Sequence, residues 1–110
     1  MIVVLEDNLM FSLAMQEIAT ALGESVEVVG TPQALVEAVR RPDITGVVLD
    51  MRLVSDEVWP HLSPTIPLAA FGPHVEGAQF ARMREHGIRD VWPHSRLRER
   101  FSEWVQRIRG

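Results

Sequence analysis

Short apolar runs alternate with amphipathic stretches along the whole chain, and this alternation limits the possible folds. Residues 1–5 and residues 44–49 form runs apolar enough for strands that are buried on both faces of a sheet. A stretch with helical spacing of apolar residues follows each of the early runs. Strands and helices that take turns predict a parallel sheet with helices on both faces and right-handed crossovers. The chain is therefore expected to be an α/β protein.

Capping signals mark where the helices should begin and end. Asn8 is a plausible N-cap for the first helix, and Gly23 is a plausible stop. Thr31 followed by Pro32 is typical of the start of a second helix, and Ser95 is expected to cap the last one. The apolar stripes comprise Phe11, Met15, Ile18 and Leu22 in the first helix, and Leu97, Phe101, Trp104, Val105 and Ile108 in the last.

The middle of the chain departs from regular alternation. Pro60, Pro64 and Pro67 leave room for a third helix of at most two turns. A fourth helix is predicted over residues 75–87. Five strands are expected in total, at residues 1–5, 25–30, 44–50, 66–72 and 88–92. Their spacing leaves no room for a second domain, so residues 1–110 are expected to be one domain without an output domain.

Composition and charge exclude several classes of function. The chain has no cysteine, so it can form neither disulfides nor thiolate metal sites. The net charge of −4 gives no general attraction to nucleic acid or anionic membrane. No apolar run approaches the length of a membrane helix, and a cytoplasmic location is expected by default. Neither a GxGxxG motif nor a P-loop occurs. All eleven basic residues are arginine, so lysine is absent from the chain.

Acidic residues follow two of the predicted strands at the point where each strand ends. Glu6 and Asp7 follow the first strand, and Asp50 ends the third. In a parallel sheet these carboxylates would gather at one edge and repel each other unless a cation neutralised them. Carboxylate oxygens suit Mg²⁺, and an aspartate beside Mg²⁺ can attack phosphorus. Alternatively, Asp50 is a turn former and the acid pair only meets the dipole of the first helix.

Two segments, "IVVLEDN" and "GVVLDMRL", resemble the receiver domains of two-component response regulators. The resemblance covers the chain from Met1 to the last helix. It implies a three-layer flavodoxin-like (βα)5 sandwich, with a five-stranded parallel sheet in the order 2-1-3-4-5. The third helix of this chain is expected to be shorter than in that family. The resemblance also implies that Glu6, Asp7 and Asp50 bind Mg²⁺ together with the backbone carbonyl of Arg52. Asp50 would be the phosphoacceptor.

Other positions depart from the receiver pattern. The Ser or Thr at the end of the fourth strand corresponds to Gly72, and the lysine after the fifth strand corresponds to His94. The aromatic switch position corresponds to Val91, with Trp92 beside it. We interpret His94 as a surface residue of a loop; the alternative is that a protonated His94 replaces part of the role of the lysine. The pair Gly72-Pro73 is interpreted as a turn. These losses remove the usual contacts to a phosphoryl group.

Two functions remain open. The first is an atypical receiver that accepts a phosphoryl group at Asp50, is not an enzyme, and takes a sensor histidine kinase or another signalling protein as its partner. The second is a pseudo-receiver that binds proteins independently of phosphorylation. A phosphohydrolase is disfavoured because such enzymes commonly place a second acid where Arg52 stands.

The resemblance to receiver domains implies a partner face on the fourth helix, fifth strand and fifth helix, and a homodimer through the same face. Arginine and tryptophan are typical interface anchors. The alternative is a solvated helix face with pairs such as Glu103 and Arg107. Nucleic acid and membrane partners are not expected. The candidate residues of this face are Arg82, Arg84, Trp92, Arg96, Arg100 and Arg107.

Overall fold

The computed structural model describes residues 1–73 and 77–110 and contains one five-stranded parallel sheet in the order β2-β1-β3-β4-β5. The predicted fold class and strand order are confirmed. The central strand β3 is buried along its whole length. The strands are β1 (Ile2–Leu5), β2 (Val26–Val29), β3 (Gly46–Asp50), β4 (Leu68–Gly72) and β5 (Asp90–Pro93).

Within the described residues, four α-helices cover the two faces of the sheet. Two 3₁₀ helices, Asp56–His61 and His94–Arg96, complete the described secondary structure. The fourth predicted helix is α3, but Val75 and Glu76, with which the prediction begins, lie outside the described residues. The helices are α1 (Leu9–Ala21), α2 (Pro32–Ala38), α3 (Gly77–Glu85) and α4 (Leu97–Arg109).

Each face of the sheet has its own apolar core. Helices α1 and α4 cover one face, where Met15, Phe101 and Trp104 are fully or almost fully buried. Helices α2 and α3, with the 3₁₀ helix Asp56–His61, cover the other. The first core is tight at Gly46, because a Cβ there would lie only 2.6 Å from Trp104 Cη2. The helices therefore cover both faces of the sheet. The edge formed by the C-terminal ends of the strands, called the carboxyl edge, is left uncovered by these helices and is the expected place for a site.

Two of the three predicted N-caps are confirmed. The Asn8 side chain accepts hydrogen bonds from the backbone of the first turn of α1, and Thr31 accepts one from the Ala34 N–H at 3.1 Å. The prediction for Ser95 is wrong, because α4 begins at Leu97 and its N-cap, Arg96, makes no side-chain capping bond. The chain leaves β5 through a 3₁₀ turn that includes Ser95, and this turn delays the start of the helix.

The shortened third helix is the 3₁₀ helix Asp56–His61, which contains Pro60. Val58 is completely buried and anchors this segment to the core. The Trp59 ring stacks on the His86 ring beyond α3, with 3.8 Å between the ring centroids. An Arg82 to Asp56 ion pair of 2.5 Å adds a second link to α3. A short segment thus fills the place of a full helix by using aromatic contacts.

None of the helices in the described ranges combines the length and the apolar character that crossing a membrane requires.

Candidate acidic site at the carboxyl edge of the sheet

Parallel pairing brings the three predicted acids together. Strands β1 and β3 pair with Leu5 opposite Leu49, so the next residues, Glu6 and Asp50, leave neighbouring strands at the same level. One carboxylate oxygen from each of Glu6, Asp7 and Asp50 lies within 4.8 Å of the other two. The predicted convergence is therefore present, whereas the roles of these residues in metal binding and phosphoryl transfer stay predictions.

Two of the three acids are buried. Asp50 is 0% exposed and Glu6 is 2% exposed, whereas Asp7 is open to solvent. Glu6 Oε1 accepts hydrogen bonds from the backbone N–H groups of Asp7 and Asn8, each at 2.9 Å. The pKa of Glu6 is raised to about 7, mainly by burial and secondly by the contact with Asp50. The ionised form of Glu6 is therefore disfavoured at this site.

One buried oxygen of the site has no hydrogen-bond partner among the described residues. It is Glu6 Oε2, which belongs to a side chain with no exposed surface. A buried acceptor without a partner costs on the order of 1–3 kcal/mol. A cation bound among these acids would give it one. The donor set contains only oxygen atoms and includes a solvent-accessible acid, which fits Mg²⁺.

The Arg52 side chain is part of the site, which sequence reasoning missed. Its Nη2 lies 2.6 Å from Asp50 Oδ2, 3.0 Å from Asp7 Oδ1 and 3.2 Å from Glu6 Oε1. Hydrogen bonds to Asp50 and Asp7 raise the pKa of Arg52 above its ordinary value. The sequence signal is an arginine two residues after the candidate acceptor, for which the resemblance implies a role of the backbone carbonyl only. A basic side chain already neutralises part of the acidic cluster.

Gly72 lies at the expected end of β4. It is an extended strand residue that pairs with Pro93, and the residues after Pro73 that would complete the predicted Gly72-Pro73 turn lie outside the described residues, so this turn stays a prediction. A Cβ on Gly72 would lie 2.7 Å from Met51 Cε. Met51 therefore fills the space that a serine or threonine side chain would enter.

His94 directly follows β5, as the register predicts, but it is not a surface loop residue. Its ring packs against Phe11 and Phe71, with centroid distances of 4.5 and 5.5 Å, and its Nε2 is buried without a partner among the described residues. Burial lowers the pKa of His94; the nearby Arg52 acts in the same direction and Asp50 against it. The ring is therefore neutral at pH 7 and does not replace the cation of a lysine.

Val91, which corresponds to the aromatic switch position, and its neighbour Trp92 are both buried in the core. Val91 is buried on the side of α3, and Trp92 is buried on the opposite face, edge-on to Phe101 and Trp104. Successive residues of a strand point to opposite faces, so Trp92 cannot join an exposed surface here. The prediction that Trp92 belongs to a partner face is therefore wrong.

The arginines of the predicted partner face lie on or beside α3, β5 and α4, and most of them form ion pairs. Arg107 pairs with Asp90 at 2.6 Å and Arg100 pairs with Glu103 at 3.1 Å, which replaces the expected Glu103 to Arg107 pair. Arg96 pairs with Glu99 at 2.8 Å. The face presents mixed charges, and its role as an interface stays a prediction.

Helix α1 carries exposed apolar residues that the sequence reading did not single out. Leu9 and Met10 are 70% and 79% exposed, and Leu13 is also exposed. They lie at the start of the helix, close in sequence to Asp7, and outside the buried stripe that begins at Phe11. Their exposure could have been predicted from the helical spacing, because at 100° per residue all three lie on a different side of the helix from that stripe.

The comparisons support the fold through structure and not through sequence. No protein-family model and no curated protein matches the chain. A response regulator receiver protein from Pseudoalteromonas atlantica superposes with a TM-score of 0.81 at 11% identity, over 97% of this chain and 94% of that one. A response regulator from Thermotoga maritima gives a TM-score of 0.78 at 19% identity, with the same coverage.

The same fold also matches a segment of an enzyme. A lysine decarboxylase from Francisella novicida superposes with a TM-score of 0.75 at 15% identity, over 97% of this chain but 16% of that one. The fold therefore occurs in different protein contexts, and the site has to decide the function. The chain has the fold of the receiver domains of response regulators.

Proposed function

We propose that the chain is an atypical receiver of two-component signalling, which accepts a phosphoryl group at Asp50 in a Mg²⁺-dependent reaction. The observation that supports this proposal is the buried pair Glu6 and Asp50 beside Asp7, with one buried oxygen of Glu6 that has no partner among the residues the structure describes. Two buried carboxylates side by side are costly to stability. A binding function explains why the chain keeps them.

In this reaction a carboxylate oxygen of Asp50 attacks the phosphorus of a phosphodonor. A new P–O bond forms to Asp50, and the bond to the leaving group breaks, so that acetyl phosphate would release acetate. Mg²⁺, when bound, reduces the repulsion between the acids and the phosphoryl oxygens. The backbone N–H of Arg52 donates to Asp50 Oδ1 at 2.9 Å and thereby orients the carboxylate.

Readout is proposed to differ from that of a typical receiver. Gly72 offers no hydroxyl to a phosphoryl oxygen, His94 is a neutral packed ring, and the chain contains no lysine. The site is therefore proposed to signal through the acids, Arg52 and the adjacent backbone. A sensor histidine kinase would supply the phosphoryl group, and output would pass through contact with another signalling protein.

A pseudo-receiver is the second candidate function, and one observation favours it. Met51 fills the space next to Gly72 where a phosphoryl-binding side chain would lie. In that case the fold would serve as a protein-binding module, and the acidic cluster would be held by Arg52 alone.

Incubation with acetyl phosphate and Mg²⁺, followed by measurement of intact mass, separates the two functions. The proposal predicts a gain of one phosphoryl group in the wild type, no gain in Asp50→Asn, and an unchanged gain in Asp43→Asn. Asp43 is a matched control because it is an exposed acid that precedes β3, at the opposite end of this strand. If the wild type gains no mass although it binds Mg²⁺, the pseudo-receiver is the better description.

A further inference from the structure

The guanidinium of Arg52 contacts all three acids of the site at once. Asp50, Asp7 and Glu6 each give one carboxylate oxygen to its Nη2, and its Nε adds a second contact to Asp50 at 3.1 Å. An arginine remains charged at any pH at which the protein is folded. The site therefore already contains a positive charge that belongs to the chain itself.

This positive charge can leave the site. The Arg52 side chain is 41% exposed, whereas the Glu6 and Asp50 side chains beneath it have no exposed surface. The guanidinium thus covers the acids from the solvent side and can rotate outward without opening the core. Glu6 Oε2 still lacks a hydrogen-bond partner among the described residues, so the arginine satisfies the site incompletely.

We propose that Arg52 is a resident counter-ion that a divalent cation must displace, and that Arg52 thereby sets the metal affinity of the site. The inference rests on the metal site of the proposed function. A cation of this kind needs carboxylate oxygens that Arg52 now occupies. Each charge-assisted hydrogen bond that has to be given up weakens metal binding. The wild-type affinity for Mg²⁺ is therefore low, and it depends on the residue at position 52.

Calorimetric titration of the full chain with Mg²⁺ tests this inference. Arg52→Gln keeps a side chain of similar reach but removes the charge, and we expect it to bind Mg²⁺ about tenfold or more tightly than the wild type. Arg52→Lys keeps a point charge without the planar fork, and its affinity should fall between the two. Arg41→Gln should bind like the wild type.

Arg41 is the matched control because it also pairs with two carboxylates, those of Glu27 and Asp43, away from the acidic site. An Arg52→Gln affinity equal to or weaker than that of the wild type would overturn the inference. So would the absence of Mg²⁺ binding in every variant. If Arg52→Gln does not fold without metal, Arg52→Lys still decides, because tighter binding than in the wild type supports displacement and equal binding refutes it.

The same variants separate this inference from the proposed function. Phosphoryl labelling of Asp50 with unchanged metal affinity in Arg52→Gln would refute the counter-ion and leave the receiver function in place. Tighter metal binding in Arg52→Gln without labelling in any variant would support the counter-ion and refute phosphoryl acceptance.

Discussion

At the residue scale, the site depends on the contacts that a few side chains make with each other at the end of β3. Asp50 is completely buried, and its carboxylate accepts hydrogen bonds from the backbone and side chain of Arg52. The sequence predicted the convergence of the acids because strand ends meet at one edge of a parallel sheet. It could not predict the Arg52 contacts, because a side-chain rotamer leaves no pattern in a single sequence.

Substitution of Gly72 by serine tests whether Met51 fills the space beside Gly72 at the end of β4. A serine Cβ would lie 2.7 Å from Met51 Cε, the flexible end of a buried side chain that would have to shift within the core, so we expect Gly72→Ser to lower the free energy of unfolding by about 1 kcal/mol. Urea unfolding measures this change. Gly30→Ser is the control, because a Cβ there meets nothing within 4 Å. Equal effects of the two substitutions would show that Met51 does not restrict position 72.

The pH dependence of stability tests the environment of His94. Its pKa in the folded protein is lowered below the unfolded value of 6.5, so the unfolded state binds more protons between the two values. The stability that the neutral ring contributes is present above pH 6.5 and is lost as the pH falls toward the folded pKa.

Urea unfolding of the wild type and His94→Phe over about pH 5.5 to 7.5 isolates this effect. The phenylalanine ring can pack against Phe11 and Phe71 but does not titrate. The stability of the wild type should fall relative to that of the variant as the pH decreases. Parallel pH profiles would contradict the account of a packed, neutral His94.

At the scale of elements, local capping chemistry predicted where α1 and α2 begin but not where α4 begins. Asn8 and Thr31 are extended residues directly before α1 and α2, and their side chains accept hydrogen bonds from the first turn of each helix. Ser95 has the same chemistry, but the chain is still in a 3₁₀ turn there. The packing of His94 against two aromatic rings accompanies this turn, and such a tertiary contact is not visible in the local sequence.

Alanine substitutions at the two capping candidates test this difference. Thr31→Ala removes the acceptor for the Ala34 N–H and should lower the free energy of unfolding by about 1 kcal/mol. Ser95→Ala should change it by less than about 0.5 kcal/mol, because Ser95 caps no helix. Chemical denaturation provides both values. A larger loss for Ser95→Ala than for Thr31→Ala would contradict the observed start of α4.

At the scale of the whole molecule, the fold was predictable because the alternation of apolar runs and helical stripes leaves few topologies. The strand order and the two cores agree with that prediction. The partner face was only partly predictable, because Trp92 points into the core and most of the arginines are engaged in ion pairs. A linear sequence shows which residues are charged but not which of them neutralise each other.

If the acidic site binds Mg²⁺, the stability of the whole folded molecule should depend on the Mg²⁺ concentration. A cation that binds only the folded state raises the free energy of unfolding as its concentration rises above Kd. Mg²⁺ should therefore stabilise the wild type against urea and stabilise Asp50→Asn less, because this variant lacks one of the three carboxylates. Equal stabilisation of both proteins would show that Mg²⁺ binds elsewhere.

The position of a phosphoryl label tests the central claim most directly. The wild type is incubated with acetyl phosphate in two samples, one with Mg²⁺ and one with a chelator instead of Mg²⁺. Peptide mass analysis then locates the label. The account predicts one Mg²⁺-dependent label, on Asp50. A label on another residue, or no label at any Mg²⁺ concentration that saturates the protein, would contradict it.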